Sequence, residues 1–191
     1  MMAMGAFGLV AVILIGGLIV VGLWFLMTYN VLVALRNQVK NAWAQIDVQL
    51  KRRHDLIPNI VETVKGYAKH ERETFDAVVK ARSAAVQASG VAAQAKAEGE
   101  LSGVLSRLMA VAEAYPELKA NQNFLALQEE LSSTENKIAF SRQAYNDQVM
   151  MYNTKTQMIP SNIVAGFGGF TAMDLFELKD NAQREAPSVK F

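Results

Sequence analysis

The sequence predicts an all-α protein in which an N-terminal transmembrane helix continues into an antiparallel helical bundle with two long and two shorter helices. The prediction rests on an apolar, charge-free beginning and on apolar residues that recur every three or four positions along most of the chain. No segment alternates apolar and polar residues as a strand does. We expect an anchor over residues 1–28, a bundle domain over 29–160, and a hydrophobic tail containing Gly and Phe over 161–191.

The anchor is the apolar segment from Ala6 to Met27, which lies in a longer stretch, Met1 to Leu35, without a charged side chain. As a helix this segment extends about 33 Å, close to the roughly 30 Å of bilayer hydrocarbon. A cleaved signal peptide is the alternative, but no Lys or Arg precedes the segment, and it is longer than an ordinary signal core. The sequence therefore predicts one retained membrane span.

Within the span, Gly16, Gly17 and Gly22 allow another helix to approach closely, although they do not form a strict GxxxG motif. The span contains no ionisable residue, which argues against a proton relay or an ion-selective pore. Arg36 and Lys40 follow the span as candidate membrane-proximal basic residues. Because no Lys or Arg precedes it, the positive-inside rule predicts that the N-terminus lies outside and the bundle lies in the cytoplasm.

The first bundle helix continues the span, since neither Pro nor Gly occurs between Gly22 and Pro58. Its apolar positions are Leu32, Leu35, Val39, Ala42, Ile46 and Leu50, and the stripe resumes at Ile57 after an apparent irregular step near Arg53. Pro58 predicts a kink.

Two shorter helices are predicted at about 71–89 and 92–115, closed by Gly90 and Pro116. Asn121 is a candidate N-cap for a long fourth helix, which we expect to end before Pro160. In the tail, Phe167, Phe170 and Phe176 are candidate oligomer or membrane contacts. They could dock into a groove of the bundle, against a neighbouring subunit, or at the membrane interface.

Charge and motifs give little support for chemistry. The 19 basic and 18 acidic residues provide no case for nucleic acid as a partner, and the chain has no Cys. His54 and His70 stand in no metal-binding spacing, no nucleotide-binding motif is present, and Glu129, Glu130 and Glu135 are interpreted as a solvated face. We therefore expect no catalytic residue, no metal and no cofactor.

Several blocks of sequence, in order, resemble the LemA family of bacterial membrane proteins. They are IDVQLKRRHDLIPN (46–59), YAKHE (67–71), AYPELKAN (114–121), LQEEL (127–131), TEN (134–136) and YN (145–146). The resemblance implies one N-terminal transmembrane helix and a helical-bundle domain, with no established enzyme activity. A magnetosome-associated relative implies that some members serve membrane organelles.

The sequence thus predicts a non-enzymatic scaffold in the bacterial inner membrane that self-associates and organises membrane proteins or lipid. The expected partners are membrane lipid, further copies of the chain, and other membrane proteins such as a protease or a chaperone. The alternative is an extracytoplasmic interaction or antigen domain of inverted topology.

Overall fold

A computed structural model describes residues 2–177, with side chains described from Ala11 onward. Within that range the chain forms six helices and no strand: α1 Met2–Lys65, α2 Arg72–Gln87, α3 Val91–Glu113, α4 Pro116–Lys119, α5 Gln122–Gln157 and α6 Ser161–Phe167. The predicted all-α fold, with a long apolar N-terminal helix followed by packed helices, is confirmed.

The chain divides into two compact units. Of the described residues, 2–41 and 147–173 form the anchor unit, and 42–146 and 174–177 form the bundle unit. Both long helices, α1 and α5, contribute to both units, whereas the predicted boundaries at 28 and 160 followed composition.

The predicted apolar stripe of α1 is confirmed. Leu32 and Val39 are buried in the anchor unit, and Ala42, Ile46 and Leu50 are buried in the bundle unit. The irregular step expected near Arg53 is wrong, because Arg53 itself occupies the next inward position and is buried. A stripe with steps of three and four therefore continues through a charged residue.

Pro58 does not end α1, which remains helical to Lys65. Proline lacks the N–H that would bond to the carbonyl four residues earlier, here that of His54. Arg82 of α2 supplies the missing donor: its Nε lies 2.7 Å from the His54 carbonyl oxygen. A side chain from a neighbouring helix thus satisfies the acceptor that Pro58 leaves free.

The core of the bundle unit forms where α1, α2, α3 and α5 meet. Its buried members include Leu56, Ile57, Ile60, Val64, Phe75, Val78, Leu101, Leu105, Leu108, Phe124 and Leu131, and α4 adds Leu118. α1 and α5 run antiparallel there, because Trp43 contacts Tyr145 and Arg53 contacts Glu135.

The Asn121 cap is confirmed, because its side-chain oxygen accepts the N–H groups of Asn123 and Phe124 at the start of α5. The expectation that Gly90 closes α2 is wrong: α2 ends at Gln87 with the extended Ala88 as its C-cap, and Gly90, with a positive φ of 85°, precedes α3 as its N-cap. Pro116 does more than stop α3: it is the first residue of the short α4.

Candidate functional site

The apolar end of α1 is bare in the anchor unit. Large apolar side chains from Val12 to Leu23 are exposed, as is Met27, and a Cβ added at Gly16, Gly17 or Gly22 would meet no atom within 4 Å. Burial begins at Trp24 and Phe25, which are half-buried, and Thr28 is buried. Ala6 lies where side chains are not described.

α6 and the chain after it lie against this end of the apolar segment. The ring of Phe167 is 6.4 Å from that of Phe25, and the ring of Phe170 is 5.4 Å from that of Tyr29, both edge to face. The Arg36 guanidinium lies 5.1 Å from the centre of the Phe170 ring, a cation–π distance. Phe170 is buried by these contacts.

A pair of side chains on α5 holds the extended chain after α6 in the anchor unit. Asn153 donates from Nδ2 to the carbonyl of Met173 at 2.9 Å and accepts the Met173 N–H at 2.9 Å. The Tyr152 hydroxyl donates to the carbonyl of Thr171 at 3.0 Å. Burial raises the pKa of Tyr152, so its hydroxyl stays protonated and remains a donor.

The bundle unit contains the same arrangement seven residues earlier on α5. Asn146 accepts the N–H of Phe176 at 2.8 Å and donates to its carbonyl at 3.3 Å, while the Tyr145 hydroxyl donates to the Asp174 carbonyl at 2.9 Å. Burial, followed by the charge of Asp174, raises the pKa of Tyr145. Phe176 is buried against Trp43, with ring centres 5.9 Å apart.

The Tyr-Asn dipeptide therefore recurs after seven helical residues, and its backbone partners recur after three extended residues. Each pair holds its own stretch of extended chain, Thr171 to Met173 in the anchor unit and Asp174 to Phe176 in the bundle unit. We call residues 170–176 the strap and each Tyr-Asn pair a clamp.

The bundle unit also buries a charged cluster that the sequence analysis did not predict. Arg53 forms an ion pair with Glu98 through Nη2, and its Nη1 lies 2.7 Å from Glu135 and 3.0 Å from the Ser102 hydroxyl. His54 Nε2 lies 2.9 Å from the second oxygen of Glu98. Both side chains of the Arg53–Glu98 pair are almost fully buried.

Glu98 accepts several hydrogen bonds, which determine its ionisation. Burial by itself would raise its pKa, but the hydrogen bond from His54 and the charges of Arg53 and His54 outweigh burial and hold the pKa below its ordinary value. Gln94 adds a further donor at 2.7 Å. The cluster thus consists of charges that neutralise one another in the bundle core, and its geometry is that of a structural element.

The signal that could have revealed this cluster is the position of its members in the apolar stripes. Glu98 lies three residues before Leu101 and seven before Leu105, on the inward face of α3. Arg53 occupies the inward position between Leu50 and Ile57. A charge on a core-facing stripe needs a buried partner, and the two helices supply one another.

The candidate residues from the sequence lie in different surroundings. Phe170 and Phe176 are buried against their own chain, whereas Phe167 remains 81% exposed. Lys40 is exposed and Arg36 is partly buried over Phe170. Of the residues interpreted as a solvated face, Glu129 is exposed, and Glu130 and Glu135 remain partly exposed while they pair with Arg52 and Arg53.

Comparison with known proteins identifies the family. The model of the LemA family matches residues 42–191, which include all the described residues of the bundle unit and of the strap. The chain belongs to the LemA family.

The relatives that this chain resembles include magnetosome proteins. The chain is similar to magnetosome protein MamQ 2 of Paramagnetospirillum magneticum, with 26% identity over 180 residues covering 81% of this chain and 66% of that protein. It is 24% identical over 180 residues to magnetosome protein MamQ of Magnetospirillum gryphiswaldense, with the same coverage. It is 26% identical over 140 residues to protein LemA of Metamycoplasma hominis, covering 71% of this chain and 63% of that protein.

The matched region spans slightly less than two thirds of each of these relatives. Together with the bare apolar end of α1, membership of the LemA family supports a helical membrane protein.

Proposed function

We propose that this LemA-family chain is a non-enzymatic, membrane-anchored helical scaffold that self-associates and organises membrane proteins or lipid. The observation that carries the proposal is the two-part character of α1. Its first part contains the apolar segment Ala6 to Met27, whose length fits a bilayer and whose large apolar side chains are exposed from Val12 to Leu23, and its later part supplies one wall of the bundle core. An anchor and a bundle helix are thus one continuous element.

The non-enzymatic part of the proposal is supported by what the buried charges do. Arg53, His54 and Glu98 are engaged with one another and are shielded from solvent. A catalytic group has to reach a substrate, and these side chains face a filled core instead. The cluster therefore serves the stability of the bundle.

The orientation belongs to the proposal as well. Arg36 and Lys40 lie about two and a half and three and a half helical turns after Met27, which favours retention of that side in the cytoplasm. We propose that the chain lies in the bacterial inner membrane with the bundle unit inside the cell. The named magnetosome relatives support a role at a membrane.

Cysteine labelling in intact cells tests the orientation, because the native chain has no Cys. Val86 is exposed on α2, so we expect a Val86→Cys variant to react with a membrane-impermeant maleimide only after the cells are lysed. Reaction in cells whose inner membrane is intact would contradict the proposal and favour the extracytoplasmic alternative. Release of the protein from membranes by alkaline carbonate would contradict the anchor itself.

A further inference from the structure

We propose that residues 158–167, which include the turn before α6 and α6 itself, form a second contact with the lipid bilayer that α1 crosses. We call these residues the foot. The inference rests on the proposed membrane anchor and adds to it, because the anchor requires only α1.

The depth of the foot follows from its contact with α1. Phe167 packs edge to face on Phe25, which belongs to the last turns of the apolar segment Ala6 to Met27. The side chains of α1 are exposed from Ala11 to Leu23 and become half-buried at Trp24 and Phe25. α6 therefore lies beside α1 at the boundary between hydrocarbon and headgroups, given the span length that a bilayer allows.

The outward face of the foot is apolar. Ile159, Ile163 and Phe167 are 83%, 54% and 81% exposed, and Ile163 and Phe167 are four residues apart on one side of α6. Val164 and Ala165 are buried on its inward side. Ile159 in the turn and Ile163 and Phe167 on α6 therefore leave most of their apolar surface exposed.

Charge supports lipid as the occupant of this face. The chain carries no charged side chain from Thr156 to Met173, so the whole foot can enter an apolar medium without burying a charge. Lys155 lies just before this stretch, where a long side chain can reach the headgroups.

Continuity with α1 favours lipid over a second copy of the chain. The exposed face of the foot begins at the ring that touches Phe25, so the bare surface of the span and that of the foot meet. Lipid that surrounds the span is already next to the foot. The anchor unit would then contact the bilayer at two places, which restrains its rotation about the span.

The test uses full-length protein with single cysteines carrying an environment-sensitive NBD label. The variants are reconstituted in vesicles of phosphatidylcholine and phosphatidylglycerol. Ile163→Cys and Phe167→Cys report on the foot, Leu23→Cys reports on the span, and Val86→Cys reports on an exposed site of the bundle unit. Each label is quenched separately by iodide in the water and by lipids with a nitroxide near the headgroup.

We expect the labels at both foot positions to be quenched by the nitroxide lipid and protected from iodide, and their emission to be shifted to the blue. We expect the label at residue 86 to show the reverse. If the foot labels are quenched by iodide as the label at residue 86 is, while the label at residue 23 stays in lipid, the proposed foot is overturned and the anchor is not. A label at residue 23 open to iodide would overturn the anchor and the proposed function. Foot labels shielded from both quenchers would indicate a covering protein copy and would also overturn the proposal.

Discussion

Adjacent arginines on α1 form ion pairs that differ mainly in their access to water. The side chains of Arg52 and Glu130 are 50% and 41% exposed, whereas those of Arg53 and Glu98 are 1% and 4% exposed. An exposed pair gains little because water screens it, and each side chain loses conformational freedom in forming it. Breaking a buried pair leaves an uncompensated charge in the core, which is far more costly.

This contrast gives a paired prediction. Glu98→Ala should lower the free energy of unfolding by about 3–5 kcal/mol, the cost of leaving a buried partner unpaired. Glu130→Ala should lower it by less than about 1 kcal/mol. Thermal or urea unfolding of the full chain in detergent, followed by far-UV circular dichroism, measures both. Equal losses of unfolding free energy in the two variants would show that another group compensates the charge of Arg53.

Glu98 should also make the bundle sensitive to acid. Its folded-state pKa lies below the ordinary 4.5, so the unfolded chain takes up the proton first as the pH falls. The stability it contributes is present above about pH 4.5 and is lost as the pH drops through the lower pKa of the folded state. The groups facing it are Arg53 and His54, with Glu135 and Arg142 beyond Arg53.

We therefore expect Glu98→Gln to reduce the loss of stability between pH 7 and pH 3. The difference in unfolding midpoint between pH 7 and pH 3 should shrink relative to the native chain, because glutamine cannot take up the proton. Glu130→Gln is the matched control and should leave the difference nearly unchanged. If the Glu98 variant lost as much stability at pH 3 as the native chain, other carboxylates would dominate the pH dependence.

Single residues also show where sequence interpretation succeeds and where it fails. The Asn121 cap could be predicted because its two backbone partners are local. The Arg53–Glu98 pair could not, because residues 45 positions apart must first be brought together by the fold. Charge on an inward stripe was visible in the sequence, but its partner depended on packing.

The long helices followed from apolar periodicity, but α4, α6 and the strap did not. A helix of four or seven residues carries too few turns for a periodic signal, and the strap has no periodicity at all. The clamps were visible as Tyr-Asn repeated at a spacing of seven. Their meaning required the strap to be seen beside α5.

Asn153→Asp tests a clamp with minimal change in shape. The carboxylate still accepts the N–H of Met173 but no longer donates to its carbonyl, and it sets a negative charge against that oxygen. We expect faster amide hydrogen exchange across residues 170–173, measured by mass spectrometry. Asn136→Asp, at an exposed position of α5, is the control and should leave the strap unchanged. Equal protection in both variants would show that the hydrophobic contacts of the strap suffice.

At the scale of the whole molecule, the tail aromatics are poor candidates for the surface of the proposed self-association. Phe170 and Phe176 contact their own chain, and Phe167 belongs to the foot. In the bundle unit, Phe140 and Val48 are 75% and 62% exposed. Because Trp43 meets Tyr145 and Arg53 meets Glu135, these two residues lie at the same height on the antiparallel pair of α1 and α5.

An exposed aromatic ring is the kind of residue that anchors a protein interface, since it buries a large area at low entropic cost. We therefore expect the native chain in detergent to form an oligomer at micromolar concentration, and Phe140→Ser to lower its mass by light scattering. Val86→Ser, which replaces another exposed apolar residue, should leave the mass unchanged. A native chain that is strictly monomeric would remove self-association from the proposed function. An oligomer indifferent to Phe140→Ser would place the contact on another surface, where the bare glycines of the span are the next position to substitute.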